Sequence, residues 1–203
     1  MKIICIGRNY IDHAKELNND VPTSPMIFMK PSTALLVDNK PFYHPEFSKK
    51  IHYEVEIVVK IAKNGKHIDP AFVEQYYDEV GLGIDFTARD LQDELKSKGH
   101  PWEMAKAFDH SAVVSHFISV KELPNKDNIN FQLIKNEQVV QIGATKDMIF
   151  SIDTLLVYAS KFFTLQKGDL IFTGTPAGVG KIEVGDNFVG KLENKEMFNC
   201  LVK

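Results

Sequence analysis

Glu54 and Glu56 stand two apart in the run Ile51-His52-Tyr53-Glu54-Val55-Glu56-Ile57. Its apolar members Tyr53, Val55, Ile57, Val59 and Ile61 alternate with the period of a strand. Side chains two apart on a strand share a face, so His52, Glu54 and Glu56 project together from a rigid element. Like charges held that close repel, and solvent, basic partners or a cation must offset the repulsion. Asp85 lies in a second alternating run, residues 80–86, and shares its face with Gly81 and Gly83. Glycines there leave room for a metal or a substrate to approach the backbone. If the two strands converge, Glu54, Glu56 and Asp85 make an all-oxygen site. Such donors select hard cations, Mg²⁺ or Mn²⁺, with Ca²⁺ admissible in a looser cavity. Three carboxylates leave about three octahedral positions for water or a chelating substrate, which marks a catalytic site rather than a structural one. Spacing alone is also met by a solvated outer face, the commoner arrangement on a half-exposed strand.

The elements that must position these residues follow from pattern. A short strand over residues 2–6 leads through Gly7-Arg8-Asn9-Tyr10 into a weak helix over 11–17. Asn18-Asn19-Asp20-Val21-Pro22-Thr23-Ser24-Pro25 is turn material, which makes 10–25 a candidate lid. Residues 51–61 read as one strand. Asp69-Pro70 reads as the N-cap and first turn of a helix towards Tyr77. Thr87-Ala88-Arg89-Asp90 resembles a capping box opening a helix to about Ser97, with Gly99 as its stop. Strands are expected over 130–135 and 138–142 around Asn136-Glu137, over 169–173, and in a last hairpin of 188–193 with 197–202. One amphipathic helix, 152–162, is capped by Ser151 and carries Leu155, Leu156, Ala159 and Phe162 at helical spacing. Strands outnumber helices and do not alternate with them. The expected class is α+β, built on a large mixed sheet.

Composition narrows the class without naming the chemistry. The 203 residues are 44% hydrophobic and 25% charged, and 14 Phe, 6 Tyr and 1 Trp need a core to enter, so disorder is excluded. No repeat or linker divides the chain, which reads as one domain over 1–203. A net charge of -3 is no electrostatic footprint for nucleic acid or an anionic membrane. Cys5 and Cys200 both sit in apolar runs and are expected as buried, reduced thiols. No secretory h-region follows Lys2, and no apolar run approaches the roughly 18 residues of a membrane span, so a cytoplasmic location is expected.

Several blocks resemble the fumarylacetoacetate hydrolase family and occur in family order. They are His52-Tyr53-Glu54-Val55-Glu56-Ile57-Val58-Val59, Gly83-Ile84-Asp85-Phe86-Thr87-Ala88-Arg89-Asp90-Leu91-Gln92, Pro101-Trp102-Glu103-Met104-Ala105-Lys106-Ala107-Phe108-Asp109 and Ile171-Phe172-Thr173-Gly174-Thr175-Pro176-Ala177-Gly178-Val179-Gly180. Gly7-Arg8-Asn9-Tyr10 through His13 and Glu16 matches too, as does Phe28-Met29-Lys30-Pro31. The length fits the short branch that lacks an extra N-terminal domain. That branch includes acylpyruvate hydrolases, oxaloacetate decarboxylases and related isomerases or tautomerases. The resemblance implies a mixed β-sandwich roll with few helices, a divalent metal, usually a homodimer, and a small 2-oxo acid substrate. It places Glu54, Glu56 and Asp85 at the metal-ligand positions.

The same resemblance gives roles to other residues. Three carboxylates against one dication leave a negative site before an anionic substrate arrives, and Lys106 is the candidate cation. Arg89 and Gln92 are three apart and share a helix face, suited to a carboxylate and to a substrate oxygen or a water. Arg8 and Thr175 fall in matching blocks as substrate contacts, and the glycine-rich bend 174–180 offers backbone N–H groups to an anion. His13 and Glu16, also three apart, make a general-base pair for water. The expected activity is metal-dependent cleavage of the C–C bond of acylpyruvates through a pyruvate enolate, with oxaloacetate decarboxylation as a side reaction. The alternative is an isomerase or tautomerase of 2-oxo or 2-hydroxy-diene acids. The His13–Glu16 pair favours the hydrolase, because proton transfer alone needs no activated water.

Overall fold

Strand-forming runs of Ile, Val and Phe dominate the computed structural model, which describes residues 1–17 and 20–203. In chain order, β1 (Ile3–Gly7), α1 (Ile11–Glu16), β2 (Met26–Lys30) and β3 (Leu35–Leu36) precede β4 (Ile51–Tyr53) and β5 (Val55–Ile61). Then come β6 (Tyr77–Asp85), β7 (Thr87–Ala88), α2 (Arg89–Ser97), α3 (Glu103–Lys106), β8 (Ala112–Val114) and β9 (Ile118–Ser119). The last part holds β10 (Asn130–Lys135), β11 (Gln138–Ala144), α4 (Ile152–Phe162), β12 (Leu170–Phe172), β13 (Gly180–Lys181), β14 (Asn187–Leu192) and β15 (Lys195–Leu201).

An eight-stranded sheet runs in the order β2-β1-β12-β5-β6-β8-β3, with β9 paired to β6. The β1–β12 and β3–β8 pairs are parallel and the others antiparallel, so the sheet is mixed as expected. A four-stranded antiparallel sheet, β11-β10-β14-β15, supplies Phe131, Leu133, Phe188 and Met197 to the core shared with Ile57, Leu82, Ile84 and the Leu155–Leu156 stripe of α4. Cys5, Val58, Ala112 and Phe172 form a second apolar cluster with Ile3, Ala34, Val114 and Leu170. This is a large curled mixed sheet with few helices, the α+β class read from pattern. Among the described residues, no helix is long and apolar enough to cross a membrane.

Several expectations change in detail. Residues 51–61 form two strands rather than one, because β4 pairs with β7 and β13 while β5 joins the large sheet. Glu54 is the residue at which the chain changes sheets. Beyond it, Val58 is fully buried, so the face shared with Glu56 is not a solvated one. The space beside Gly83 is taken by the Phe172 ring and the Val113 carbonyl, and that beside Gly81 by Ser115 and Phe117. Those glycines serve packing and leave no opening for a ligand. The helix after Asp69 is a 3₁₀ helix, Pro70–Tyr76, with Asp69 Oδ1 accepting from Ala71 N at 2.9 Å. No capping box forms at α2, since Thr87 Oγ1 accepts a hydrogen bond from Lys106 Nζ instead. Ser151 caps α4 through Thr154 N, and Asn136 and Glu137 turn the β10–β11 hairpin with φ of 48° and 68°. Both cysteines are buried and free.

Candidate active site

The chain passes between sheets twice at one corner, at Glu54 between β4 and β5 and at Phe86 between β6 and β7. Asp85 N donates to Glu54 O at 2.8 Å, locking the two crossings together. Glu56 follows one pleat further along β5. As a result one carboxylate oxygen from each of Glu54, Glu56 and Asp85 lies within 4.8 Å of the other two, and all three residues are buried.

Buried cations offset two of the three. Lys106 Nζ donates to Glu54 Oε2 at 2.8 Å, Asp85 Oδ2 at 2.7 Å and Thr87 Oγ1 at 2.6 Å. Arg89 Nη2 donates to Glu54 Oε1, and its Nη1 donates to Gln92 Oε1 at 2.5 Å. Lys30 Nζ stands 2.8 Å from Asp85 Oδ1 as an ion pair, outside hydrogen-bond direction, while it donates to Ser111 Oγ at 2.9 Å and to the Lys106 carbonyl. Burial opposes ionisation of Glu54, yet Lys106 and Arg89 hold its carboxyl far below the usual range. Desolvation also works against the Lys106 ammonium, and Asp85 and Glu54 overcome it to raise its pKa.

Glu56 is the exception. Among the described residues it has no ion pair, and Gly174 N donates to its Oε2 at 2.6 Å. Burial first, then the charges of Asp85 and Glu54, push its pKa well above the ordinary carboxylate value. A buried triad of carboxylates with one member lacking a cation fits a hard divalent ion. These residues have the donor type and the number that such an ion would need, and Glu56 is a carboxylate left without a cationic partner.

His13 on α1 lines the same cleft, together with Arg8, Gln92, Lys96, Trp102 and Thr175. Its Nδ1 lies 3.3 Å from Glu16 Oε2, and Gly178 N donates to Glu16 Oε1 at 3.0 Å. Burial lowers the His13 pKa against the opposing pull of Glu54 and Glu16, which favours the neutral imidazole. An ionised carboxylate only accepts, so Nδ1 carries the proton and Nε2 presents a lone pair. Burial together with Arg89 and Lys50 drives His52 down to about 4, so it stands neutral beside the cluster.

A model of the fumarylacetoacetate hydrolase C-terminal family matches residues 2–200. The chain belongs to that family. It is 43% identical over 201 residues to a mitochondrial oxaloacetate tautomerase of Mus musculus, a match covering 99% of this chain and 91% of that protein. It is 41% identical over 186 residues to an oxaloacetate tautomerase of Escherichia coli (strain K12), covering 91% of this chain and 85% of the relative. A crystal structure of fumarylpyruvate hydrolase from Pseudomonas aeruginosa, in complex with Mn²⁺ and pyruvate, superposes with a TM-score of 0.94 at 32% identity, covering 100% of this chain and 89% of that one. Hydrolytic and tautomerising enzymes therefore share this family and this fold.

Within this fumarylacetoacetate hydrolase fold, every residue singled out from sequence faces one cleft or contacts a residue that does. Glu54, Glu56, Asp85, Lys106, Arg89, Gln92, Arg8, His13 and Thr175 line it directly, and Glu16 reaches it through His13. The glycine-rich bend differs from expectation. Its N–H groups hold two of the protein's own carboxylates, Glu56 through Gly174 and Glu16 through Gly178. Arg89 likewise pairs with Glu54 within the protein. Of the expected lid, 10–25, residues 18 and 19 lie outside the described residues.

Sequence reasoning gave no role to Lys30, Gln141 or Asn9. Gln141 accepts from Val55 N at 2.9 Å and donates to Thr175 Oγ1 and Pro176 O, each at 2.9 Å. Asn9 Nδ2 donates to Thr173 O at 2.8 Å and to Phe150 O at 3.0 Å. A lysine closing the apolar run Met26-Ile27-Phe28-Met29 was the signal for Lys30, because a lysine in such a run is buried only when paired.

Proposed function

We propose that this chain acts on short 2-oxo acids that share an enolate, with interconversion of the keto and enol forms of oxaloacetate as its principal reaction. The observation that carries the reading is the convergence of Glu54, Glu56 and Asp85 within 4.8 Å on a cleft that His13 also lines. The near-full-length likeness to oxaloacetate tautomerases supports the choice of substrate. Glu54, Glu56 and Asp85 would hold Mg²⁺ or Mn²⁺, which when bound supplies Lewis-acid stabilisation of enolate charge.

The chain's own groups account for the rest. Lys106, Arg89 and Lys30 fix Glu54 and Asp85 and offset their charge. Gln141 donates to Thr175 Oγ1, leaving that hydroxyl's proton to donate to a substrate oxygen. His13 Nε2 takes the proton from C3 of the keto acid and returns it to the 2-oxo oxygen, with Glu16 keeping the tautomer that makes this possible. The segment 10–25 carries both residues and would act as the lid, closing the cleft against water.

A second reading, cleavage of acylpyruvates, is favoured by the His13–Glu16 pair and by the likeness to fumarylpyruvate hydrolase. There the same base would deprotonate a water, which adds to the distal carbonyl before the C3–C4 bond breaks and pyruvate enolate leaves. The deciding experiment follows the ultraviolet absorbance of enol-oxaloacetate and of acetylpyruvate with Mg²⁺ and with excess chelator. Chelator-sensitive acceleration of enol decay is the expected result. Full activity in chelator would overturn the metal assignment, and no acceleration with either compound would overturn the 2-oxo acid reading.

A further inference from the structure

Gln141 lies opposite Leu133 of β10 and is buried with it, a polar side chain on the apolar face of the four-stranded sheet. Burying an amide there costs stability unless each of its groups is paired. The reason for placing it there lies at the corner where two other strands part. β12 runs beside β5 as far as Phe172 opposite Val58, and Thr173 N still donates to Ile57 O at 3.1 Å. Gly174, with its φ of 101°, then turns the chain away. Residues two apart on a strand point their peptide groups to the same edge, so Val55 comes next after Ile57. Its N–H faces a gap that β12 no longer fills.

Gln141 fills that gap from the other sheet. Its Oε1 accepts from Val55 N, and its Nε2 donates to Thr175 Oγ1 and Pro176 O, each at 2.9 Å. One side-chain amide thereby replaces the missing rungs between the strand that carries Glu56 and the bend that carries Thr175. A Cβ on Gly178 would lie 3.3 Å from Gln141 Cγ, so the bend also packs on the stem of this side chain. The direction of the amide is fixed. Val55 N only donates and Pro176 O only accepts, so Oε1 faces β5 and Nε2 faces the bend. Thr175 Oγ1 therefore accepts, and its own proton is left over. Among the described residues the acceptor nearest to hand is Pro176 O at 3.5 Å, which already receives Nε2.

We propose that Gln141 is a positioning residue that keeps Thr175 a hydrogen-bond donor to an anionic oxygen in the cleft, at a set distance from the metal-ligand strand. This rests on the 2-oxo acid reading above and adds a residue that itself touches no substrate. Without Gln141 the Thr175 proton turns to Pro176 O and the cleft loses a donor.

The test uses oxalate, which has the planar two-oxygen bite of a pyruvate enolate and is not turned over. It is titrated calorimetrically, at saturating Mn²⁺, into the wild type, Gln141→Met, Thr175→Val and the double variant. Gln141→Met is expected to weaken oxalate binding about tenfold, the size of one charge-assisted hydrogen bond. In the Thr175→Val background the same change should cost no more than about twofold, because both substitutions act on one contact. A merely structural glutamine would cost the same in both backgrounds. Gln141→Glu is the second arm, since it keeps an acceptor for Val55 N and removes the donor to Thr175. Its added charge repels oxalate in both backgrounds and cancels in the comparison, so its loss should again be about tenfold greater with Thr175 than with valine. Should Gln141→Met fail to fold, this arm decides alone. Equal losses in the two backgrounds, or wild-type affinity in Gln141→Met, would overturn the proposal. A wild type that binds no oxalate at saturating Mn²⁺ would instead overturn the 2-oxo acid reading.

Discussion

Gly174 gives its backbone N–H to Glu56 Oε2 at 2.6 Å, and it does so from a φ of 101°. The one carboxylate of the triad without a cationic side chain is therefore held by a peptide dipole. Only a glycine adopts that backbone without strain. A Cβ at this position would lie 2.6 Å from Asn9 Cβ and 3.3 Å from the Ile6 carbonyl oxygen. Gly174→Ala is expected to destabilise the fold by about 2 kcal/mol, from strain and overlap together. Misplacing the group that orients a ligand commonly costs about tenfold or more in metal affinity. Thermal unfolding without metal and calorimetric titration with Mn²⁺ check both effects; an unchanged Mn²⁺ affinity would show that Glu56 does not need this contact.

Glu56→Gln separates folding from metal binding. The amide keeps the shape and can still accept from Gly174 N, while it removes a buried carboxyl group whose ionised form Glu54 and Asp85 repel. Without metal the variant is expected to melt a few degrees above the wild type. With Mn²⁺ the order should reverse, because a neutral amide oxygen is a poorer partner for a hard cation. Melting curves with chelator and with Mn²⁺ test the pair of outcomes. A variant less stable than wild type in chelator would mean that Glu56 is already compensated in the metal-free protein.

The triad was legible because its signal is local and chemical: two glutamates at strand spacing and an aspartate in a second strand. The family blocks around them added the partners. The corner itself was not legible, since an unbroken run of alternating residues from 51 to 61 gives no sign that the chain changes sheets at Glu54. Strand pattern records which side a residue faces and not which sheet its backbone joins. Lys30 and Gln141 were missed for a related reason. Each acts across large sequence separation, Lys30 on Asp85 and Gln141 on Val55 and Thr175, and nothing near them in sequence announces the partner. Short strands such as Ala112–Val114 left too few residues for a period to show. The hairpin at Asn136-Glu137 and the capped helix from Ile152 were read closely, because a two-residue turn and a serine cap are decided within a few residues.

Lys106→Met tests the cation at the centre of the cluster. Its ammonium serves Glu54, Asp85 and Thr87 at once, and the methionine keeps length and apolar stem while leaving Glu54 Oε2, Asp85 Oδ2 and Thr87 Oγ1 without that donor. Removing one partner of a buried ion pair costs about 3–5 kcal/mol. Urea unfolding without metal should show a loss of that size. Mn²⁺ should recover more stability in the variant than it adds to the wild type, since the added cation replaces charge that the variant lacks. Equal Mn²⁺ stabilisation in the two proteins would place Lys106 outside the electrostatics of the metal site.

Glu16 joins two functions that one substitution can divide. It orients His13 through Nδ1, and it ties α1 to the glycine-rich bend through Gly178 N. Glu16→Ala removes both, whereas Glu16→Gln keeps an oxygen for one of the donors and loses the charge that raises the basicity of the imidazole. Water activation depends on that basicity more than proton relay within an already acidic 2-oxo acid does. Acetylpyruvate cleavage is therefore expected to fall about 100-fold in Glu16→Gln, with a much smaller loss in enol-oxaloacetate decay. Glu16→Ala should add faster amide exchange over residues 11–16, which Glu16→Gln should not. Equal losses on the two substrates in Glu16→Gln would mean that the carboxylate positions His13 without tuning it, and amide exchange unchanged in Glu16→Ala would remove the Gly178 contact from lid closure.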